Sequence, residues 1–361
     1  MLKGDENMKF CVYTICKNEI NNIDKWIDCM CEADYMLLVD TGSTDGTYEK
    51  LLQLKSRYTN LIVSKIKVFP WRFDVARNEA MKFIPKDTDA CISMDLDELF
   101  MEKGWSKVLK KIWKPNYELG DFVYIDNREN DVYNKKTAMP RTKIHTLKAF
   151  WKFPLHEIPF ADKDKPNQEG TTDNRNHLHL WSAESKSVNG WKKLIVTHYS
   201  TSGSRNNYIT LANMRGEDYQ GPDAEEIRII ELFKNKKYDE CLKNIKEVEK
   251  KHFDTTLLNR MVWESNLNFY KAYIYENYKR NPLLALKYYE KSLENGIINY
   301  KSMYQLCNLY YSTNQKQKII AMLQDVIEHW RTPLYITYIQ EFDELNVFFK
   351  EEFTKYYTLC K

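Results

Sequence analysis

Apolar positions in the first hundred residues fall into short runs separated by polar, helix-spaced segments. Phe10–Cys16 (FCVYTIC) is a compact β-rich run, and over 22–31 the residues Ile23, Trp26, Ile27 and Met30 recur on one helical face. Tyr35–Val39 predicts a second strand, Tyr48–Tyr58 a helix, Leu61–Val68 a third strand, Asp74–Phe83 a helix and Ala90–Met94 a fourth strand. This alternation predicts a parallel sheet covered on both faces. From Gly120 to Tyr199 the pattern is strand-like but irregular. It predicts short strands at Phe122–Ile125, Thr146–Phe150 and Leu194–His198 and a polar, mobile loop over Pro159–Asn176.

After Gly221-Pro222 long amphipathic patterns run to the C-terminus. They predict helix pairs at Glu225–Phe233 with Tyr238–His252, Val262–Tyr278 with Pro282–Asn295, and Lys301–Ser312 with Gln315–Trp330. The pattern over 286–294 returns over 320–328, an offset of 34 residues, which is the tetratricopeptide period. A plain helical bundle is the alternative. The expected division is therefore 8–220, an α/β domain, and 221–361, an all-α tetratricopeptide-like domain. The residues before Met8 read as a leader outside the fold.

Composition narrows the class. The apolar fraction of 43% supports real cores and excludes a disordered chain. Net charge is only +3, from 54 basic and 51 acidic residues, so electrostatics demand neither nucleic acid nor an anionic membrane. No apolar stretch approaches the roughly 20 residues that span a bilayer. The eight cysteines lie mostly in apolar runs, and Cys29-Met30-Cys31 has the wrong spacing for a zinc knuckle. Reduced thiols in a cytoplasmic protein are the expectation.

Candidate chemistry sits at strand ends. Asp95-Leu96-Asp97-Glu98 follows the fourth strand, so Asp95 and Asp97 emerge on one side at the sheet edge where ligands bind. Paired carboxylates there suit a hard divalent cation, Mg²⁺ or Mn²⁺, shared with diphosphate oxygens. Asp40-Thr41-Gly42-Ser43-Thr44-Asp45-Gly46-Thr47 follows another strand. Its small, polar residues permit close approach of a ligand, and Asp45 or Thr47 can also cap the next helix. His177-Leu178-His179 has same-side spacing if extended; a metal site and a polar loop near an acceptor are both open readings.

Together these residues resemble family-2 glycosyltransferases of the GT-A fold. The resemblance is carried by Phe10–Glu19, Asp40–Thr47, Trp71-Arg72-Phe73-Asp74-Val75-Ala76-Arg77-Asn78 and Asp95–Glu98 and covers roughly 8–220. The branch most similar has C-terminal tetratricopeptide-like helices and includes bacteriocin peptide S-glycosyltransferases and related bacterial protein or cell-envelope glycosyltransferases. The resemblance implies that Thr14, Ile15 and Glu19 line a uridine pocket, Asp40 reads the uracil edge with Asp45 in the same loop, and Arg77 lies near the diphosphate. It implies that Asp95 meets the ribose or sugar and Asp97 the metal. His156-Glu157 resembles a Val-His-Glu motif, which makes Glu157 the candidate base with His156 beside it; a structural or acceptor-binding role is the other reading. His198 resembles the His that completes the metal shell, or is a satisfied core histidine. Arg77 can equally form a helix-surface ion pair, and Trp151, Trp181 and Trp191 either stack on sugar or anchor packing.

The expected function is metal-dependent, inverting transfer of a hexose or N-acetylhexosamine from a UDP-sugar to a protein or peptide side chain. A cell-envelope glycan acceptor and a non-catalytic sugar-nucleotide-fold scaffold are the alternatives. A nucleotidyltransferase fits less well, because the first turn reads Cys16-Lys17-Asn18-Glu19 rather than a Gly-rich basic loop. The Tyr-rich helices suggest a homodimer interface or a docking surface for the acceptor.

Overall fold

The computed structural model describes residues 7–126, 135–161, 177–180, 187–199, 208–218, 222–251, 257–294, 296–328, 330 and 343–361. The expected leader up to residue 6, most of the expected loop (162–176) and Trp181 lie outside the described residues. The chain divides into two compact units, 1–202 with 332–345, and 203–331 with 346–361.

The first unit begins β1 (Phe10–Cys16), α1 (Ile23–Met30), β2 (Tyr35–Asp40), α2 (Thr47–Leu54), β3 (Leu61–Lys65), α3 (Phe73–Met81) and β4 (Ala90–Ser93). β3, β2, β1 and β4 lie side by side and parallel, as the alternation predicts. β1 is apolar on both faces for a visible reason. Phe10 and Val12 join Trp26 and Met30 of α1 in one core, while Cys11 and Tyr13 join Ala80 and Met81 of α3 in another. Each large side chain so buried contributes roughly 1.5–3 kcal/mol.

Beyond β4 the sheet stops being parallel. Next come β5 (Glu98–Phe100), α4 (Trp105–Ile112), β6 (Leu119–Asp126), β7 (Thr137–His145), β8 (Phe150–Lys152), β9 (Ile158–Phe160), β10 (His177–His179) and β11 (Ile195–His198). The sheet order is β3-β2-β1-β4-β7-β6-β11-β5. β7 runs antiparallel between β4 and β6, and β11 pairs parallel with β6 and antiparallel with β5. β10 and β11 share one edge of β6 in tandem, at Leu119–Asp121 and Val123–Asp126.

One expected strand is displaced, and one strand appears that the apolar pattern does not mark. Residues 146–149 form a turn closed by Ala149 N–H to the Thr146 carbonyl, 3.2 Å, rather than a strand; strand structure resumes at Phe150. The strand that pairs with β4 is β7, whose sequence TAMPRTKIH lacks a clean alternation because Pro, Arg and Lys interrupt it. β8 and β9 form a separate hairpin held by α3: the Asn78 amide donates to the Trp151 carbonyl, 2.9 Å, and accepts from the Trp151 N–H, 2.8 Å.

The second unit is helical: α5 (Tyr208–Asp218), α6 (Pro222–Lys234), α7 (Tyr238–Val248), α8 (Leu257–Asn277), α9 (Pro282–Lys291), α10 (Tyr300–Ser312), α11 (Lys316–Glu328) and α12 (Glu344–Cys360). Its main core joins Ile229 and Leu232, Cys241 and Ile245, and Trp263, Leu267 and Ile274. The turns after α6, α8 and α10 each carry one left-handed residue, Lys236, Arg280 and Asn314. In the first and last, the following N–H reaches back five residues to close the helix end (Lys237 to Leu232, 2.9 Å; Gln315 to Tyr310, 2.7 Å). α9 and α11 begin at Pro282 and Lys316, 34 apart, but α8 and α10 begin 43 apart, at Leu257 and Tyr300. The spacing of the second helices is thus regular while the first helix of the pair is longer. Among the described residues no helix is long and apolar enough to cross a membrane. All eight cysteines are free thiols.

Candidate functional site

The parallel strands end together. Register sets Cys16 beside Asp40, Asp40 beside Lys65, and Tyr13 beside Ser93. The chain leaving β4 turns sharply, with the Glu98 N–H on the Asp95 carbonyl at 2.9 Å, and re-enters the sheet as β5. This turn holds Asp95, Leu96 and Asp97. It is supported from below by Trp26, whose indole N–H donates to the Met94 carbonyl at 3.2 Å.

Arg77 organises the carboxylates. Its guanidinium is 3% exposed and lies 5.1 Å from the Trp151 ring. Nε donates to Glu157 Oε1 (2.5 Å), Nη1 to Ser93 Oγ (2.9 Å), and Nη2 to both Asp95 oxygens (2.8 and 3.1 Å). Burial works against its charge, but the carboxylates of Asp95 and Glu157 outweigh that and strengthen its hold on the proton. Lys143 on β7 adds a second, half-buried cation, 2.9 Å from Glu98 and 3.8 Å from Asp95. Burial alone would raise the Asp95 carboxyl; the charges of Arg77 and Lys143 prevail and hold it well below the usual carboxylate range. Glu98 moves the other way, raised chiefly by its burial.

Asp97 and His198 meet across strand ends. His198 is in register with Glu98 on β5 and Asp126 on β6. Its Nε2 is 3.1 Å from Asp97 Oδ2 and its Nδ1 3.2 Å from Asp126 Oδ1. A carboxylate on one ring nitrogen orients the other toward a cation, so Asp126, His198 and Asp97 have the donor set and the supporting partner that a divalent metal site uses. Tyr124 stacks on the same ring at 5.5 Å.

The first βα loops form the neighbouring wall. Asp40 is fully buried; its Oδ1 accepts from the Gly42 and Ser43 amides at 2.9 and 3.1 Å, and Lys65 approaches to 3.8 Å. Its carboxylate therefore builds the loop. Asp45 accepts from Thr47 N–H and hydroxyl (3.0 and 2.6 Å) and from Ile20 N–H (3.2 Å). Burial opposes ionisation of Asp45, and those hydrogen bonds overcome it, leaving its pKa lowered. Thr14 is buried and Ile15 half-buried at the end of β1. Glu19 faces the acidic cluster: burial raises its carboxyl, and the charges of Asp97, Asp95 and Asp45 raise it further. Its Oε2 accepts from Asn22 at 2.6 Å.

The structure thus brings Glu19, Arg77, Asp95, Asp97, Glu157 and His198 into one charged cluster with Ser93, Glu98, Asp126 and Lys143. His156 is exposed in the β8–β9 turn with φ of +51°. Asp126, like Asp40, ends an apolar strand, and that position is its signal in the sequence. Lys143 and Ser93 carry no such signal, because their pairing depends on strands brought together across the sheet. His177 and His179 lie on the other face of β6, away from this cluster.

Residues 11–172 match the sequence model of Glycosyl transferase family 2. This segment is a family-2 glycosyltransferase domain. The domain assigns the chain to glycosyl transfer, and its mostly parallel, mixed sheet followed by helices is the GT-A arrangement expected from the sequence. No curated protein matches the sequence significantly. Among solved structures, a mannosyltransferase, PcManGT from Pyrobaculum calidifontis, in complex with GDP-Man and Mn²⁺, is similar at 12% identity and a TM-score of 0.40, over 98% of this chain and 88% of that one. S. aureus TarS is similar at 15% identity and a TM-score of 0.31, over 79% of this chain and 54% of that one.

Proposed function

We propose that this glycosyltransferase is cytoplasmic and metal-dependent, and moves a hexose or N-acetylhexosamine from a UDP-sugar to a protein or peptide side chain with inversion. The observation that carries the reading is the charge arrangement at the β4 and β11 ends. Asp95, Asp97, Glu98, Glu157 and Asp126 converge there with two cations, the buried Arg77 and the half-buried Lys143, and with His198 aimed at Asp97. Asp97 and His198 would hold Mn²⁺ or Mg²⁺, which supplies positive charge opposite a departing nucleoside diphosphate.

The remaining roles belong to the chain's own residues. The Asp40–Thr47 loop and the end of β1 (Thr14, Ile15, Glu19) form the base and ribose pocket, with Asp40 setting its shape through the Gly42 and Ser43 amides. Asp95, fixed by Arg77, meets the ribose or sugar. Arg77 acts mainly by positioning Asp95 and Glu157, rather than by touching the diphosphate itself. Arg77 holds Glu157 Oε1, so Oε2 takes the acceptor proton as the nucleophile attacks the anomeric carbon opposite the leaving group. A thiol acceptor, which ionises near about pH 8.5, asks less of this base than a hydroxyl does. The helices of the second unit supply a surface for a peptide acceptor or for a second copy.

Calorimetric titration with UDP-, GDP- and TDP-sugars, with and without Mn²⁺, tests the reading. UDP-sugar binding that requires Mn²⁺ and is lost in Asp97→Ala is expected. Metal-dependent binding that survives Asp97→Ala sinks the site assignment. Tight UDP binding with no transfer to any acceptor favours the scaffold instead.

A further inference from the structure

The carboxylate of Asp121 stands apart from all this chemistry. On β6 it lies in register with Thr142 of β7 on one side and His179 of β10 on the other. Strand alternation puts Asp121 with Val123 and Ile125, on the face opposite Tyr124 and Asp126. Five residues along a strand separate it from Asp126, about 16 Å at roughly 3.3 Å per residue. The donor-site cation cannot reach it.

Three ligand atoms converge there. His177 Nε2 is 2.8 Å from Asp121 Oδ1 and His179 Nδ1 is 2.9 Å from Oδ2. The three donor atoms lie within 4.8 Å of one another. The two imidazoles stack, with centroids 4.4 Å apart and planes 14° from parallel, because residues two apart on a strand share a side. Thr142 Oγ1 donates to Oδ1 at 2.7 Å and fixes the carboxylate's orientation.

Among the described residues the charge there is answered without a lysine or arginine. Asp121 is 7% exposed, and none of its partners among the described residues is Lys or Arg. A buried carboxylate needs a positive partner or several donors to stay ionised. Here the partners that answer the carboxylate are two imidazoles and the Thr142 hydroxyl. An anionic oxygen and two imidazole nitrogens aimed at one point are ligand types that Zn²⁺ takes.

We propose that Asp121, His177 and His179 form a second metal site, for Zn²⁺ or a cation of similar preference. The site is structural. It ties β10, a strand of three residues, to the edge of β6, with Thr142 of β7 as the supporting hydrogen bond. This stands independently of the donor-site reading, since it uses other residues on another face.

The test titrates ZnCl₂ alone, with no nucleotide sugar, into the chelator-treated full chain and its variants. Wild type and Asp97→Ala are expected to share a tight site that His177→Ala and His179→Ala each weaken by more than about 100-fold, beyond the 10–100-fold typical of losing a supporting partner. Equal affinity in wild type and the histidine variants overturns the proposal. A second readout needs no variant: Co²⁺ added to wild type should give the visible bands of a four-coordinate nitrogen–oxygen site, bleached by Zn²⁺. Their absence overturns it as well. Zn²⁺ is also expected to raise the melting temperature of wild type and Asp97→Ala but not of His177→Ala.

Discussion

Arg77 and His145 show how single residues at this sheet act through what surrounds them. Arg77 reaches three partners at once because its fork spans Ser93, Asp95 and Glu157. Lysine keeps the charge but is a single point on a flexible stem. Arg77→Lys should therefore lower kcat/KM by about 100-fold, the scale of an ångström-level misplacement, while donor affinity changes less. Initial rates and donor titration on the same variant separate the two; an equal loss in both would make Arg77 a donor contact instead. His145 is fully buried. Its Nδ1 bonds the Thr146 carbonyl at 2.9 Å, so its Nε2 accepts from the Tyr13 hydroxyl at 2.7 Å, and that oxygen accepts from the Trp151 indole. Burial pulls its pKa down from 6.5 to about 4. The unfolded chain then binds the extra proton, so stability is full above about pH 6.5 and falls as pH drops toward 4, by about 3 kcal/mol at the end of that window. Urea unfolding at pH 7 and pH 4 should show a smaller pH-dependent loss in His145→Gln than in wild type.

At the scale of elements, the β8–β9 hairpin matters more than its length suggests. It carries Glu157, yet it pairs with no strand of the main sheet. Its position rests on α3, through the two Asn78 bonds to Trp151 and the Phe73 N–H on the Pro154 carbonyl, 3.2 Å. Asn78→Leu removes both side-chain bonds and leaves the Trp151 amide group without them, a loss of about 1–3 kcal/mol. The expected outcome is a modest fall in melting temperature with a larger fall in kcat, because Glu157 is no longer fixed. If kcat holds while stability drops, the hairpin does not position the base. The helix pairs obey a different logic. The tyrosines of these helices divide: Tyr289 and Tyr310 are buried and donate to Glu276 and Glu290, both at 2.6 Å, while Tyr278 and Tyr311 remain exposed. Part of that aromatic content is simply core.

At the scale of the whole molecule, two units with separate cores make one chain. Units that each bury their own apolar surface can unfold separately. Scanning calorimetry should therefore give a calorimetric enthalpy larger than the van't Hoff enthalpy, and addition of UDP-sugar with Mn²⁺ should shift only the transition of the sheet unit. A ratio of one would show a single cooperative unit.

The chain alone determined the elements whose periodicity is local. β1, β2, α1 and α3 are legible because apolar residues recur at the spacing one strand or helix needs, and Asp40 and Asp95–Asp97 are legible because they end such runs. The helix pairs and the family resemblance were readable for the same reason. Tertiary structure decided the rest. β7 enters antiparallel between β4 and β6 despite its mixed sequence, since its cross-strand partners select it and its own pattern does not. The meeting of Arg77 with Glu157, of Lys143 with Glu98, and of His198 with Asp97 and Asp126 joins residues from separate elements. So does the convergence of His177 and His179 on Asp121, which sequence spacing permitted without choosing. Long-range pairing in a sheet depends on which strands become neighbours, and no local pattern encodes that order.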